Sequence, residues 1–447
     1  MSYIDRIKLN AFETKIRENK NNSQNYVNNV NFNGQIFPFR ENNSEYKYMS
    51  VTIDLTEEDP SKCCQYRDDA LSMTAGSSDW DEFFGHFPCT LNESTKEVKK
   101  LNRDNFNKYE DNANRDNTFD TMICFPLRGI NIFRVSHYLT VSMTDNPNDS
   151  AYQYYAHTYN GIIRKNMYIS AYKARKTNWN SQFQDTDSIY STYKNGNVTA
   201  RLTQSYYFRT DGTDGSILAN FKKACSNKGF GYDAYGWYQY IYLQVMYILK
   251  YCNLDSQKTI GRGLVNRNSA TLYVGNTDTY GMDSELKRAE VGSDFTYCTE
   301  DYDYMSSLPA YQVKLFGLED LWGNRWTLLD NIKAIDESKL YTSTTNGTPV
   351  NNSYYKNIIK VPRNLRGWLR IPYGTNELGF LADTISTIPN TSVNFTDENT
   401  ITLDKDFIYM GQGGYYAELN SAGIFLNGLM LNDTGSSYTF RFCYFEN

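Results

Sequence analysis

One segment, Trp237 to Cys252, constrains this chain more than any other, because its apolar and aromatic side chains recur at helical spacing. Ile241, Val245, Ile248, Leu249 and Cys252 fall at i, i+4, i+7, i+8 and i+11 and so share one face of a helix. Gln239, Gln244 and Lys250 interrupt the run and leave it too short and too polar to cross a bilayer. Gly261 and Gly263 then break it. A second helix is expected over Ile217 to Ser226, entered after Asp214-Gly215-Ser216 and closed near Gly229.

Elsewhere the pattern is that of strands. Met49, Val51, Ile53 and Leu55 alternate with Ser50, Thr52 and Asp54, as a half-buried strand does. Ile130, Ile132, Phe133 and Val135, then Tyr138, Leu139 and Val141, predict two more. Met167 to Tyr172 predicts another after the Gly161 turn, and from about 311 onward short strands alternate with Gly, Asn and Asp turns. The expected fold class is therefore α+β: a mostly β N-terminal region, then a domain of short mixed sheets with one main helix.

At 447 residues the chain exceeds one ordinary core and predicts two or three domains. Residues 1–30 read as a polar arm with Leu9, Phe12 and Ile16 on one face, which either docks on a neighbouring subunit or packs as a terminal helix on its own domain. Residues 31–150 are expected to form a mostly β attachment or oligomerisation region. Its polar stretch from Asn92 to Asn117 reads as a long surface loop or a helix-containing insertion. The turn cluster Asn146-Pro147-Asn148-Asp149 marks the boundary, leaving 151–447 as the C-terminal domain.

Charge and cysteine usage exclude several classes. A net charge of −6 with scattered Lys and Arg offers no footprint for nucleic acid. Eight dispersed cysteines without a C-x-x-C pair, and three histidines apart from them, form neither a disulfide framework nor a zinc pattern, so no metal or cofactor is expected. The first residues, Met1-Ser2-Tyr3-Ile4-Asp5-Arg6, contain no apolar signal region, which predicts assembly in a cytoplasm and no membrane insertion. Tyrosine is abundant, 39 residues against 24 Phe and 6 Trp. Such a surface suits binding faces, because Tyr covers much area at low entropic cost. The same bias also follows from an AT-rich genome.

Catalytic chemistry finds weak footing. Glycosidases need two placed acids, and Glu300-Asp301-Tyr302-Asp303-Tyr304 and Asp81-Glu82 are the nearest candidates, but an acidic chain holds many such neighbours. No nucleophile elbow accompanies His86, His137 or His157, and no phosphate-binding loop occurs. Asp211-Gly212-Thr213-Asp214-Gly215 lacks a full acidic ligand ladder for calcium and reads as a turn.

Four segments, in order, resemble the C-type-lectin-like fold of formylglycine-generating-enzyme-like proteins and of phage tail and receptor-binding proteins. They are Ala156 to Gly161 with Met167 to Lys173; Leu218 to Phe221 leading into the Trp237–Cys252 helix and Asp255 to Gly263; Phe316-Gly317-Leu318-Glu319-Asp320-Leu321-Trp322-Gly323-Asn324-Arg325-Trp326; and Gly413-Gly414-Tyr415 with Ala422-Gly423-Ile424-Phe425, ending in Phe440-Arg441-Phe442. The resemblance implies a scaffold in which Gly317, Gly323, Gly413 and Gly423 permit tight backbone approach. Trp322 and Trp326 would fill the core, and Arg441 would hold a loop carbonyl or carboxylate in its fork. The cysteines on which the family's oxidising enzymes rely are missing near the terminal motif, since no cysteine follows Tyr416 until Cys443. The calcium-dependent sugar-binding motifs of animal lectins are missing too.

In the phage members, and in the targets of diversity-generating retroelements, the segment between the terminal Gly-Gly and the final Arg carries the ligand-binding surface. Carried onto this sequence, it implies contact residues Tyr415, Tyr416, Glu418, Asn420, Asn427, Asn432, Asp433, Ser437 and Tyr438. The expectation is a non-enzymatic virion structural protein of the tail-fibre, tail-tip or head-fibre type. It would be anchored to other virion subunits through its N-terminal region, form a homo-oligomer (a trimer by preference), and bind a host cell-surface glycan or protein. A collar, capsid-decorating or baseplate protein reusing the fold as a rigid brick is the alternative, and a tail-associated polysaccharide hydrolase the third.

Overall fold

The alternation at Met49, Val51 and Ile53 becomes strand β1 (Tyr48–Asp54), which buries those three side chains. The computed structural model of the chain describes residues 29–32, 35–38, 45–176, 189–190, 217–265, 275, 277–283, 312–336, 339–347, 355–360, 365–386, 395, 397–401, 407–414, 422–431 and 438–446. The chain divides into two compact units, Met1–Lys47 and Tyr48–Asn447. Within the first, an antiparallel hairpin pairs Asn29–Phe32 with Gln35–Pro38; the arm predicted around Leu9, Phe12 and Ile16 lies outside the described residues.

The second unit holds three main sheets. In the first, β2 (Cys64–Asp68), β1, and the predicted pair β7 (Gly129–Val135) and β8 (Tyr138–Thr144) run in the order β2-β1-β8-β7. The second sheet has seven strands. It begins with β3 (Phe87–Leu91), β4 (Val98–Asn102), β5 (Asn105–Tyr109) and β6 (Asp120–Pro126), and adds β9 (Asn166–Ser170), β10 (Tyr232–Ala234) and the terminal strand Phe442–Phe445. The third is a large mixed sheet built on the long strand β11 (Trp326–Asp336), which continues through β12 (Lys339–Thr342) on one side. Among the described residues the fold is mostly β with few helices, in keeping with the α+β class.

Two expectations are corrected. The stretch from Asn92 to Asn117 is not a loop or helical insertion. It contains the β4–β5 hairpin, whose inward residues Leu101, Phe106 and Tyr109 are buried while its Lys and Asn side chains face out. Nor do the sheets part at Asn146-Pro147-Asn148-Asp149: β6, before the turn, pairs along its length with β9, after it (Phe125 opposite Met167, Ile123 opposite Ile169).

The main helices lie where the period places them, α2 at Ile217–Asn227 and α3 at Trp237–Tyr251, preceded by the short α1 at Asp79–Phe84. Helix α3 is buried all round from Trp237 to Lys250, not on one face alone. A helix so enclosed must satisfy its polar side chains internally. Gln239 Oε1 accepts from Gly236 N and its Nε2 donates to Ala156 O at 2.7 Å. Gln244 Nε2 reaches Ile424 O at 3.0 Å, and Lys250 Nζ bridges Asp81 and Asp283 at 2.6 and 2.5 Å. The three residues that interrupted the apolar run are thus ties between the helix and its surroundings.

Candidate ligand-binding site

The terminal strand β20 (Phe442–Phe445) runs antiparallel to β9, with Phe445 opposite Met167 and Cys443 opposite Ile169. Just before it, Arg441 is fully buried. Its guanidinium donates to Ser170 O at 2.8 Å, Ala171 O at 3.0 Å and Glu319 O. A planar fork of donors suits three carbonyls from two separate chain segments in a way an ammonium does not. The acceptors, expected as a loop carbonyl or carboxylate, are carbonyls.

Around Arg441 lies a buried polar network. Glu319 accepts from Gly275 N at 2.8 Å, Thr277 N at 3.0 Å and Thr277 Oγ1 at 2.7 Å. Asp320 accepts from Gln312 Nε2 at 2.6 Å and Asn324 Nδ2 at 2.7 Å, and Lys173 Nζ donates to Gly323 O and Arg325 O. Burial, followed by the neighbouring Asp320, raises the Glu319 carboxyl to about 7, and burial lowers the Lys173 ammonium to about 7. A close pair of buried carboxylates could serve a hydrolase. Here both acids are committed to fixed donors inside the protein, at 1% and 2% exposure.

The same framework fixes both ends of the first half of the expected display segment. Gly323 N donates to Gly413 O at 2.9 Å. Gln257 Nε2 donates to Ala422 O at 2.6 Å, Ser256 Oγ accepts from Ile424 N at 3.1 Å, and Asp397 accepts from Phe425 N at 2.6 Å. Trp322 is fully buried and donates from Nε1 to Gly261 O, and Trp326 is nearly so.

Of the nine expected contact residues, Tyr415, Tyr416, Glu418, Asn420, Asn432, Asp433 and Ser437 lie outside the described residues. Asn427 is fully buried at the start of the strand Asn427–Leu431, where its Nδ2 donates to Phe425 O at 3.3 Å. The structure gives it a place in the core, because its strand is hydrogen-bonded on both sides. Tyr438 is half-buried in a short strand parallel to β11, opposite Trp326, and packs on the hydrophobic core. The structure therefore does not bring the nine together as one described surface.

It does show a cleft of about 470 Å³ that begins just after the turn cluster at Asn146 to Asp149. Tyr152, Gln153, Tyr154 and Tyr155 line one part of it, and Thr345 and Asn376 another. Gln153 is 7% exposed; its Oε1 accepts from Tyr155 N at 2.7 Å, which leaves Nε2 without a partner among the described residues. The signal in the sequence is the Tyr152-Gln153-Tyr154-Tyr155 run, two residues beyond the turn cluster.

Asp81 is held by Lys250 and by Arg103 at 3.3 Å. Glu300 to Tyr304 and Asp211 to Gly215 lie outside the described residues. His86 and His157 are buried, and desolvation lowers both imidazoles to about 3. Among the described residues no group of three or more His, Cys, Asp or Glu side chains is placed to hold a metal ion, and no helix is long and apolar enough to cross a membrane. No family model matches the sequence, and no curated protein matches it either.

Proposed function

We propose that this chain is a non-enzymatic structural protein of a bacteriophage particle or related tail-like machine, displaying a C-type-lectin-like domain for attachment to a host surface. One observation carries the reading. The four segments that resemble the lectin-like family, spread from Ala156 to Phe442, converge on one buried network through Arg441, Lys173, Gln257 and the Gly323–Gly413 contact. A scaffold that fixes Gly413 and Ala422 on either side of residues 415–421 suits the presentation of a short Tyr- and Asn-bearing segment. Rigid anchoring lowers the entropy lost on binding. The ligand class is a cell-wall or capsular glycan: Tyr faces stack on sugar rings, and amides such as Gln153 Nε2 in the cleft lined by Tyr152 to Tyr155 satisfy hydroxyls. Several copies on one particle would multiply weak single contacts.

A second reading, an architectural subunit of a collar, capsid surface or baseplate, is favoured by exposed apolar side chains that gather around Tyr159. Ile162 is 57% exposed and lies opposite Tyr159, and Phe230 is 54% exposed with its ring 5.3 Å from that of Tyr159. Subunit packing would cover them.

The test is binding of fluorescently labelled protein to a panel of bacterial cells and their purified surface glycans. It is run beside a Tyr415→Ala, Tyr416→Ala, Tyr438→Ala triple variant and a Gln153→Ala, Tyr155→Ala double variant. Loss of at least about tenfold in apparent affinity in either variant, with the fold intact, places the receptor site. A folded wild type that decorates no cell and no glycan leaves the architectural reading.

A further inference from the structure

The walls of the cleft beyond Asp149 are tied together by hydrogen bonds. Gln153 is joined to β7 through the main chain, Ile130 N donating to Gln153 O at 3.0 Å and Gln153 N to Ile130 O at 2.9 Å. Asn376 grips the same strand, its Oδ1 accepting from Ile132 N at 2.7 Å and its Nδ2 donating to Asn131 Oδ1 at 3.2 Å. Thr345 Oγ1 accepts from Gly161 N at 2.9 Å and donates to Asn346 O at 3.0 Å, and Thr158 Oγ1 donates to Tyr154 O at 2.9 Å. The cleft is thus formed before a ligand arrives, and these polar side chains are already in use. Gln153 Nε2 is different. Its amide is oriented by the bond from Tyr155 N to Oε1, and the nitrogen, on a side chain more than nine-tenths buried, has no acceptor among the described residues. None of the described residues lining the cleft carries a charge.

We propose that this cleft takes an uncharged N-acetylated sugar, whose acetamido carbonyl accepts from Gln153 Nε2. The inference rests on the attachment reading and narrows its ligand from glycans in general to N-acetylhexosamines. A buried donor left unpaired costs free energy, which an acceptor brought by a ligand recovers. A sugar hydroxyl can be that acceptor, but it carries an O–H that needs an acceptor in turn. Gln153 Oε1 and Asn376 Oδ1 are both occupied. A carbonyl brings no such donor. A carboxylate or phosphate would leave water for a lining that offers it no cation among the described residues. The acetamido group joins its carbonyl to a methyl, which suits a lining that also holds Ala151 and Ile163. A peptide carries the same amide chemistry, and the aromatic lining decides between the two. Tyr155 is half-buried and held against Tyr238 with ring centres 4.9 Å apart, so it offers a sugar ring a surface of set orientation.

The experiment titrates the full chain with N,N′,N″-triacetylchitotriose by calorimetry and by saturation-transfer nuclear magnetic resonance. Cellotriose, with a hydroxyl at each C2 in place of the acetamido group, trigalacturonic acid and N-acetyl-alanyl-alanine amide run beside it. Triacetylchitotriose is expected to bind at least about tenfold more tightly than the other three, with its acetamido methyls the most strongly saturated protons. Gln153→Glu keeps the Oε1 acceptor for Tyr155 N but replaces the free donor with a carboxylate oxygen, and should abolish that preference. Ile163, 48% exposed, can be changed without disturbing the core, so Ile163→Glu tests the uncharged lining even if the first variant fails to fold. It is expected to weaken triacetylchitotriose binding by about tenfold. Equal binding of cellotriose or of the peptide, tighter binding of trigalacturonic acid, or a preference that survives both variants would overturn the assignment. A wild type that decorates cells yet shows no preference for the acetylated sugar sinks this inference alone. One that decorates no cell but binds triacetylchitotriose through Gln153 upholds the site and sinks the attachment reading.

Discussion

His86 lies with its ring 5.8 Å from that of Phe125, nearly parallel, and edge-on to Phe316 at 5.5 Å; neither ring nitrogen hydrogen-bonds among the described residues. His157 sits edge-on to Tyr242 at 5.3 Å, and neither of its ring nitrogens hydrogen-bonds among the described residues. Burial lowers both imidazoles to about 3. Below the ordinary value of 6.5 the unfolded chain therefore takes up protons that the folded chain refuses, so stability falls as the pH falls from 6.5 towards 3. Glu319 opposes this: with its carboxyl raised from 4.5 to about 7, the folded state keeps a proton that the unfolded state loses, so that contribution declines as the pH rises through the window. Phe fits the stacked site of His86 and carries no proton. His86→Phe is expected to lose about 2 kcal/mol less stability than the wild type between pH 7 and pH 5, as measured by chemical denaturation at the two values. An unchanged pH dependence would mean that His86 is hydrated in solution.

Between elements, the decisive contacts are backbone on backbone. Where the strand Phe407–Gln412 ends, Gly413 adopts φ 81°, and a Cβ there would stand 2.3 Å from Leu321 O and 2.9 Å from Trp322 Cα. No rotamer relieves an overlap with main chain. Gly413→Ala combines a left-handed backbone with a forced shift of the Trp322 loop, and should destabilise the protein by about 3 kcal/mol. Urea unfolding would show this as an earlier midpoint at an unchanged slope. Helix α3 likewise depends on the elements around it. Its period was plain in the sequence, but Cys252, placed by that period on the helix face, is instead the left-handed cap, and the helix is enclosed on every side. A period reports which residues can share a face; the number of neighbours that cover the helix is set by the sheets around it.

In the whole molecule, the seven-stranded sheet joins β3 to β6, from before residue 150, with β9, β10 and β20, from after it. A chain beginning at residue 151 would expose the edge of β9 and the buried faces of Ile169 and Met167, whereas one beginning at residue 48 keeps every strand of that sheet. Residues 48–447 are accordingly expected to unfold in one cooperative transition with a midpoint close to that of the full chain. Residues 151–447 are expected to be aggregated or molten by near-ultraviolet circular dichroism and size exclusion. A well-folded 151–447 fragment would restore the boundary at Asn146 to Asp149.

What the sequence determined by itself was local. The alternation of β1, the 3.6-residue period of α2 and α3, and the aromatic and glycine spacing from Phe316 to Trp326 each depend on neighbours within a few residues. What only the tertiary structure decided was non-local. The strands Val98–Asn102 and Asn105–Tyr109 are too polar to announce themselves, since one face of an edge hairpin meets water and only Leu101, Phe106 and Tyr109 turn inward. The pairing of β6 with β9 and of β9 with β20, the burial of Asn427, and the convergence of Arg441 on Ser170, Ala171 and Glu319 follow from hydrogen-bonding edges and carbonyls. Every residue carries those same backbone groups, so no local pattern of side chains encodes which of them will meet.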